Sequence, residues 1–311
     1  RYNRRAAMSA EHNAHDDLRS APTTPLTPIG PMDMASTLAA LDGVETLLLE
    51  LLDGLTLAEW DEPTIVPGWR VRHVAAHLLD TASRKLALVR DCCVADGPAS
   101  GAANDLRDFI NRLNADGVRA YGRLSPRVLR TLMAPVSAEL CAYHRTLDPM
   151  APAAFAVSWA GESESANWFD TARELTERWH HQAQIRLALD RLPALTTPAL
   201  YHPVLDCFIR VLPHAYRHVD APDGTVLSLR IDGAAGGTWH LRRDTGDAGR
   251  WYLSAASTDS TEASARVVIP ETLAWRLFTK GLSREEAQHA LDIDGDRRLA
   301  LPLLAAVAIV G

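Results

Sequence analysis

Apolar residues recur every three or four positions through the first two-thirds of the chain, the spacing of one face of an α-helix. Leu38, Leu41, Val44 and Leu48 form one such stripe, which predicts the first helix. Loops rich in proline and glycine separate further predicted helices at about 71–93, 103–124, 126–147 and 168–189. This pattern predicts an all-α bundle over residues 33–192.

The pattern changes after a Pro/Thr-rich stretch at 193–198, which is predicted to be a linker. One more helix is predicted at 204–217, and short runs with alternating polarity follow it. These runs predict strands at 225–231, 238–242, 251–254 and 265–269, followed by a helix at 271–278. Residues 199–311 are therefore predicted to form a small α+β domain, and the whole chain a two-domain α+β protein.

The first 32 residues lack any such periodicity. They are polar, rich in histidine and aspartate, and end in a Pro/Thr-rich run at 22–31. No apolar segment follows Arg4-Arg5, so the pair does not resemble a twin-arginine export signal. We expect residues 1–32 to be a disordered leader.

Composition narrows the functional class. The chain has 311 residues, of which 39 are acidic and 32 basic, so no overall basic field would attract nucleic acid. The longest apolar stretch, 299–310, contains Pro302 and is too short to cross a membrane. The four cysteines form no C-x-x-C pair, as expected of reduced thiols. These features predict a cytoplasmic protein that binds neither nucleic acid nor membranes.

Two pairs of residues have the spacing of metal ligands on a helix. Glu177 and His181 are four residues apart and leave one face of the fifth predicted helix, as His73 and His77 do on the second. One histidine from the earlier pair, together with Glu177 and His181, would make a His₂Glu site with an open coordination position. With twelve histidines in the chain, solvated or hydrogen-bonded core histidines are the alternative interpretation.

Two segments resemble a known family. Residues 66–78 read Val-Pro-Gly-Trp-Arg-Val-Arg-His-Val-Ala-Ala-His-Leu, similar to the p-G-W-t-v-r-d-v-v-a-H-L signature of mycothiol-dependent maleylpyruvate isomerases. About a hundred residues later, Trp-Ala-Gly at 159–161 and Glu-Arg-Trp-His-His at 177–181 resemble that family's W-x-G and E-x-W-x-H segments. The resemblance implies a DinB-like four-helix bundle followed by an α+β domain.

The resemblance also implies the ligands and the chemistry. It places a metal on His77, Glu177 and His181 and leaves out His73 and His180. It implies Zn²⁺, although a His₂Glu set also accepts Ni²⁺ or Fe²⁺. Mycothiol would be the cosubstrate, its thiol activated by the metal for attack on an electrophilic small molecule.

The substrate is less defined than the metal site. Gln184 and His73 stand where the family often has aspartate, and Gly281-Leu282 stands where its isomerases carry glycine-arginine. Trp159, Arg217 and Arg284 are the candidate substrate contacts, and three further arginines could also face a cleft between the domains. These are Arg230, Arg242 and Arg243, for which surface positions on strands are the alternative.

Three functional hypotheses remain at this point. The first is a mycothiol-dependent transferase or isomerase. The second is a hydrolase in which the metal activates water rather than a thiol. The third is a small-molecule-binding module that retains the bundle without catalysis.

Overall fold

A computed structural model describes residues 28–94, 103–244, 249–254 and 263–309. Most of the predicted leader, residues 1–27, lies outside this range. Residues 28–32, which the prediction assigned to the disordered leader, are ordered, so that boundary is wrong. The Ile29 N–H donates to the Leu253 carbonyl (3.0 Å), and Met32 is buried in the core. Apolar residues at the end of the leader explain the difference.

The first half of the chain is helical. The helices are α1 (Met34–Asp53), α2 (Val71–Lys85), α3 (Ala103–Tyr121), α4 (Pro126–Arg145) and α5 (Asn167–Ala188). Asp33 caps α1 by accepting from the Ser36 N–H, and Ser125 with Pro126 begins α4 as the sequence predicts. Short helical turns lie at Glu59–Asp61, Ser158–Ala160 and Leu192–Leu195. A π-helical turn, Leu86–Arg90, ends α2 earlier than the predicted residue 93.

The bundle consists of α1, α2, α4 and α5, with α3 packed against the outer side of α2. The predicted apolar stripe of α1 faces the core, since Leu41, Val44 and Leu48 are fully buried. α5 contacts α1, α2 and a further helix, α6 (Pro198–Ile209), so most of its side chains are buried. A helix enclosed on several sides holds its polar side chains in defined positions, which matters for the site below.

The second half is α+β, as predicted. The elements are α7 (Leu212–Ala215), β1 (Val226–Asp232), β2 (Gly237–Arg243), β3 (Trp251–Ser254), β4 (Ala265–Pro270), α8 (Glu271–Phe278), α9 (Arg284–Ala290), β5 (Asp292–Gly295), α10 (Arg297–Ala300) and a final turn, Leu301–Ala305. The sheet has the order β3-β2-β1-β4-β5. β1 and β4 pair in parallel, Leu229 opposite Val267, and the other pairs are antiparallel.

The two halves share one hydrophobic core. The Trp179 ring of α5 stacks on Tyr201 of α6 (4.4 Å between centroids) and contacts Trp275 of α8 edge-on (5.9 Å). The predicted linker at 193–198 is a packed turn instead, because Leu195 is buried and its carbonyl accepts from Trp179 Nε1 (3.0 Å). The predicted helix 204–217 is two helices in the structure: α6 begins at Pro198 and ends at Ile209, and α7 begins at Leu212.

Among the residues that the structure describes, none of the helices combines the length and the apolar character that a membrane span needs.

Candidate metal centre

The predicted ligands His77, Glu177 and His181 come together where α2 crosses α5. Each offers one ligand atom, and these atoms all lie within 4.8 Å of one another. Glu177 Oε1 lies 3.2 Å from His77 Nε2 and 3.3 Å from His181 Nε2. The two imidazole rings meet edge to face, with their centroids 4.4 Å apart. Two imidazole nitrogens and one carboxylate oxygen therefore converge on a single point.

Buried charges fix the position of α2 against α5. Lys85 at the end of α2 donates to Asp170 (3.1 Å) and Glu174 (2.9 Å) on α5, and all three side chains are almost fully buried. Arg178 donates to the backbone carbonyl of Leu78, the residue after His77. Because these contacts flank the site, the distance between His77 and Glu177 is set by the fold.

The histidines beside the site have other partners. His180 Nδ1 lies 2.9 Å from the Thr176 carbonyl, and His73 Nδ1 accepts from the backbone N–H of Arg70 (3.0 Å). In contrast, His181 Nδ1 donates to Gln184 Oε1 (2.8 Å), which leaves Nε2 turned toward Glu177. A second hydrogen bond that orients the ring in this way is typical of histidines that bind metals.

The protonation of His77 and Glu177 suits metal binding. Burial lowers the pKa of His77 to about 4, and the neighbouring His181 contributes to the same shift. Burial alone would raise the pKa of Glu177, but His181 and the hydrogen bonds from both histidines hold it well below its usual value. At neutral pH the centre presents a neutral His77 imidazole and a carboxylate, which are the forms that bind divalent cations.

The crowding of three donor atoms is a further sign that the residues fit a metal ion. The His77 side chain is 3% exposed. Its Nε2 and that of His181 share a single carboxylate oxygen of Glu177. A divalent cation between these atoms would use all three as ligands and leave a position open, as in catalytic zinc sites.

The centre opens into a cavity of about 970 Å³ between the bundle and the C-terminal half. Trp69, whose ring lies 5.3 Å from that of His77, forms an apolar wall beside the ligands. α3 forms a second wall, and Trp275, Thr279, Lys280 and Gly281 close the cavity from the C-terminal half. This size is within the range of small-molecule binding sites.

Sequence reasoning missed the wall that α3 provides. The lining residues of α3 are Asn111, Asn114, Ala115, Val118, Arg119 and Gly122. Their spacing of three and four residues marks one helix face, so the signal was present in the predicted helix. Only the packing of α3 on α2 shows that this face, rather than another, borders the metal centre.

The candidate substrate contacts lie elsewhere. Trp159 is 7% exposed and packs edge-on against Phe169 in the core, and Arg284 is exposed at the start of α9. Arg217 lines a different cavity, described below. Arg230 and Arg243 pair with Asp232 and Asp220, and neither they nor Arg242 line the metal-centre cavity. The fold thus brings together the predicted ligands but not the predicted substrate contacts.

The helical bundle is similar to a known protein family. Residues 41–186 match the family model of the mycothiol maleylpyruvate isomerase N-terminal domain. The helical bundle belongs to this family. The match includes His77, Glu177 and His181, and it confirms the family suggested by the two sequence motifs. Compared with curated protein sequences, the chain has no match.

Solved structures extend the likeness beyond the mycothiol maleylpyruvate isomerase domain. A crystal structure of mycothiol-dependent maleylpyruvate isomerase with a histidine-to-alanine substitution is 15% identical, with a TM-score of 0.50, and the alignment covers 85% of this chain and 93% of that chain. A second crystal structure of mycothiol-dependent maleylpyruvate isomerase is 14% identical, with a TM-score of 0.45 and coverage of 79% and 88%. The first likeness shows a shared fold, which confirms the predicted architecture of a DinB-like bundle followed by an α+β part.

Substitution of Gln184 tests whether its hydrogen bond orients His181, one of the three candidate ligands. Gln184→Leu removes the acceptor for His181 Nδ1–H, so the affinity for Zn²⁺ is expected to fall about 10- to 100-fold. Competition with a chromophoric chelator measures this affinity. Gln184→Glu keeps an acceptor of the same length and should bind Zn²⁺ nearly as well as wild type. Equal affinity in the leucine variant would show that the hydrogen bond does not orient His181.

Proposed function

We propose that this chain is a metal-dependent enzyme that uses mycothiol to act on an electrophilic small molecule, as a cis–trans isomerase or a thiol transferase. The observation that carries the proposal is the His77–Glu177–His181 set at the wall of a cavity large enough for a small molecule. The family of the bundle supports mycothiol as the thiol, and the shared fold supports an enzyme made of a bundle and an α+β part.

His77, Glu177 and His181 would hold the metal, for which we propose Zn²⁺. The same nitrogen and oxygen donors accept Ni²⁺ or Fe²⁺. When bound, Zn²⁺ favours the thiolate over the thiol near neutral pH and thereby supplies a nucleophile. The chain's own part is to keep His77 neutral by burial and to hold the Glu177 carboxylate between two imidazoles.

The reactive thiol has to come from outside the chain. Cys141 and Cys207 are buried, and burial raises the pKa of the Cys141 thiol to about 12. Cys92 and Cys93 are exposed, and no cysteine lines the cavity. All four are free thiols, which supports the cytoplasmic location we propose. A small thiol cosubstrate is therefore the natural source of the sulfur.

The cavity walls would orient the electrophile. Arg84 donates to Asn114 Oδ1 (2.9 Å), and this leaves the amide N–H groups of Asn114 available as donors at the α3 wall. Arg123 and Lys280 add positive charge around the opening, whereas Arg119 there pairs with Asp116. Glu177 is the acidic residue among the lining residues. These groups favour a polar or anionic substrate above the ligands and next to the thiol.

A product-resolved assay tests the proposed reaction. The purified protein, loaded with Zn²⁺, is incubated with maleylpyruvate or with an aromatic halide that reacts with thiols, each with and without mycothiol. We expect turnover only when both metal and mycothiol are present. Isomerised product with mycothiol recovered would indicate an isomerase, and a thioether product would indicate a transferase.

Two other outcomes would contradict the proposal. Turnover of an electrophile without any thiol would favour a hydrolase that activates water. A mycothiol-induced rise in melting temperature without turnover of either electrophile would favour a binding module. Chelation followed by readdition of Zn²⁺ is the control, because it should abolish and then restore the activity of one sample.

A further inference from the structure

A second cavity, of about 610 Å³, lies at the opposite end of α5 from the metal centre. Its walls come from the start of α5, the region around α7, strand β3 and residues 28–31. The lining residues Trp168 and Phe169 precede His181 by more than ten positions, about 18–20 Å along the helix axis. The two cavities share no lining residue. The second cavity is therefore separate from the proposed catalytic site.

Positive charge dominates the walls of this second cavity. Arg210, Arg217 and Arg250 line it, against one acidic lining residue, Glu162, whose carboxylate accepts from the Ser165 hydroxyl. Arg217 and Arg250 form no ion pair with any carboxylate of the described residues. The walls thus carry two cationic side chains without a counter-charge, an arrangement that attracts anions.

Arg210 adds a buried donor. It lies over the Trp168 ring (4.9 Å to the centroid) and pairs with Asp206 (3.1 Å), yet its Nε is buried and has no hydrogen-bond partner among the described residues. Buried donors without partners are uncommon in folded proteins. Arg217 Nη1 donates to the His214 carbonyl (2.6 Å), but neither Arg217 nor Arg250 has a carboxylate partner among the described residues. Together with the unsatisfied Arg210 Nε–H, this leaves the region with more donors than acceptors.

The remaining walls are mainly apolar. Ile29, Pro213, Trp251 and Leu253 supply apolar surface, and the backbone bond from Ile29 to Leu253 holds two of these walls together. Gly161 has φ +83°, and a Cβ there would lie 2.3 Å from His214 Nδ1, so the loop at 158–161 packs directly on the His214 ring. A preformed cavity of this kind suits a ligand with a flat apolar body.

The protonation state of His214 is consistent with an anion in the second cavity. Burial lowers the pKa of His214, and the positive charges of Arg217 and His218 lower it further. His214 is therefore neutral at pH 7, when Arg217 and Arg250 carry the charge of the site. An anion would meet two guanidinium groups and a neutral imidazole.

We propose that this second cavity binds a small organic anion with an apolar body, of the class of aromatic carboxylates. The carboxylate would accept from Arg217 and Arg250, and the ring would pack on Ile29, Pro213 and Leu253. The binding needs neither the metal nor a thiol, so it stands independently of the function proposed above.

Calorimetric titration of the full chain with 1-naphthoate and with neutral 1-naphthamide tests the proposal. The two probes have the same ring system and differ in charge. We expect naphthoate to bind wild type at least about tenfold more tightly than naphthamide, and Arg217→Gln or Arg250→Gln to weaken naphthoate about tenfold each. Arg230→Gln is the matched control, because Arg230 is exposed, pairs with Asp232 and lines neither cavity.

Other variants separate this cavity from the metal centre. Arg123→Gln and His181→Ala change the first cavity and should leave naphthoate binding unchanged. If Arg123→Gln weakens naphthoate and the double variant Arg217→Gln/Arg250→Gln does not, the anion binds in the first cavity and the proposal is wrong. Equal affinities for naphthoate and naphthamide would also overturn it. All four substituted arginines are exposed, so circular dichroism is expected to show intact folding.

Discussion

His181→Ala is expected to remove the metal from the purified protein and abolish thiol-dependent turnover. The substitution deletes one of three converging donors, and Glu177 and His77 alone cannot surround a divalent ion. The loss of affinity should exceed the roughly 10- to 100-fold cost of losing a partner of a ligand. Metal analysis by mass spectrometry, after purification with added Zn²⁺, measures occupancy directly.

Glu177→Gln separates the charge of the centre from its shape. The amide keeps the volume of the carboxylate but removes the negative charge that His77 and His181 share. We expect weak or absent metal binding with little change in folding, because Glu177 faces the cavity and is about 25% exposed. His73→Ala is the matched control: it lies on the same wall, four residues before His77, and should keep full occupancy. Full occupancy in Glu177→Gln and His181→Ala would overturn the proposed metal centre.

The convergence of His77, Glu177 and His181 could be predicted from sequence because it depends largely on local geometry. Glu177 and His181 share a helix face by their spacing, and His77 belongs to a motif that names its helix. The spacing suggested that one histidine of the earlier helix joins Glu177 and His181, and the family resemblance selected His77. The same spacing rule applied equally to His73, which instead accepts a hydrogen bond at the start of α2.

The positions of the candidate substrate contacts could not be predicted, because they depend on where the helices end. Arg217 was expected at the end of one continuous helix, 204–217. The helix ends at Ile209 instead, and the chain turns into α7, with Pro213 in its first turn. Proline lacks the N–H that a continuing helix needs, so the turn directs Arg217 to the second cavity. Trp159 lies in the short helical turn Ser158–Ala160, which ends at Gly161 against the His214 ring.

Glu45→Ala is expected to lower the free energy of unfolding more than any of the single substitutions at the metal centre or the second cavity. Glu45 of α1 accepts from Arg178 Nε (2.6 Å) and Nη2 (2.8 Å), and both side chains are almost fully buried. Removing the carboxylate leaves a buried guanidinium without its counter-charge, which costs about 3–5 kcal/mol. Urea unfolding in the presence of a chelator measures the free energy of unfolding without a contribution from bound metal.

Two further variants test whether the unpaired charge of Arg178 causes this loss of stability. Glu50→Ala, on an exposed position of the same helix, should change stability by no more than about 0.5 kcal/mol. The double variant Glu45→Met/Arg178→Met replaces the pair by apolar side chains of similar length and should recover most of the lost stability. A double variant as unstable as Glu45→Ala would contradict the unpaired charge as the cause.

The double variant also separates stability from site geometry. Arg178 follows Glu177 on α5 and donates to the carbonyl of Leu78, which follows His77 on α2. Methionine cannot make this bond, so the two ligand helices lose a tie directly beside the metal centre. We therefore expect the double variant to fold with near wild-type stability and yet bind Zn²⁺ about 10- to 100-fold more weakly. Wild-type affinity in the double variant would show that packing alone sets the distance between His77 and Glu177.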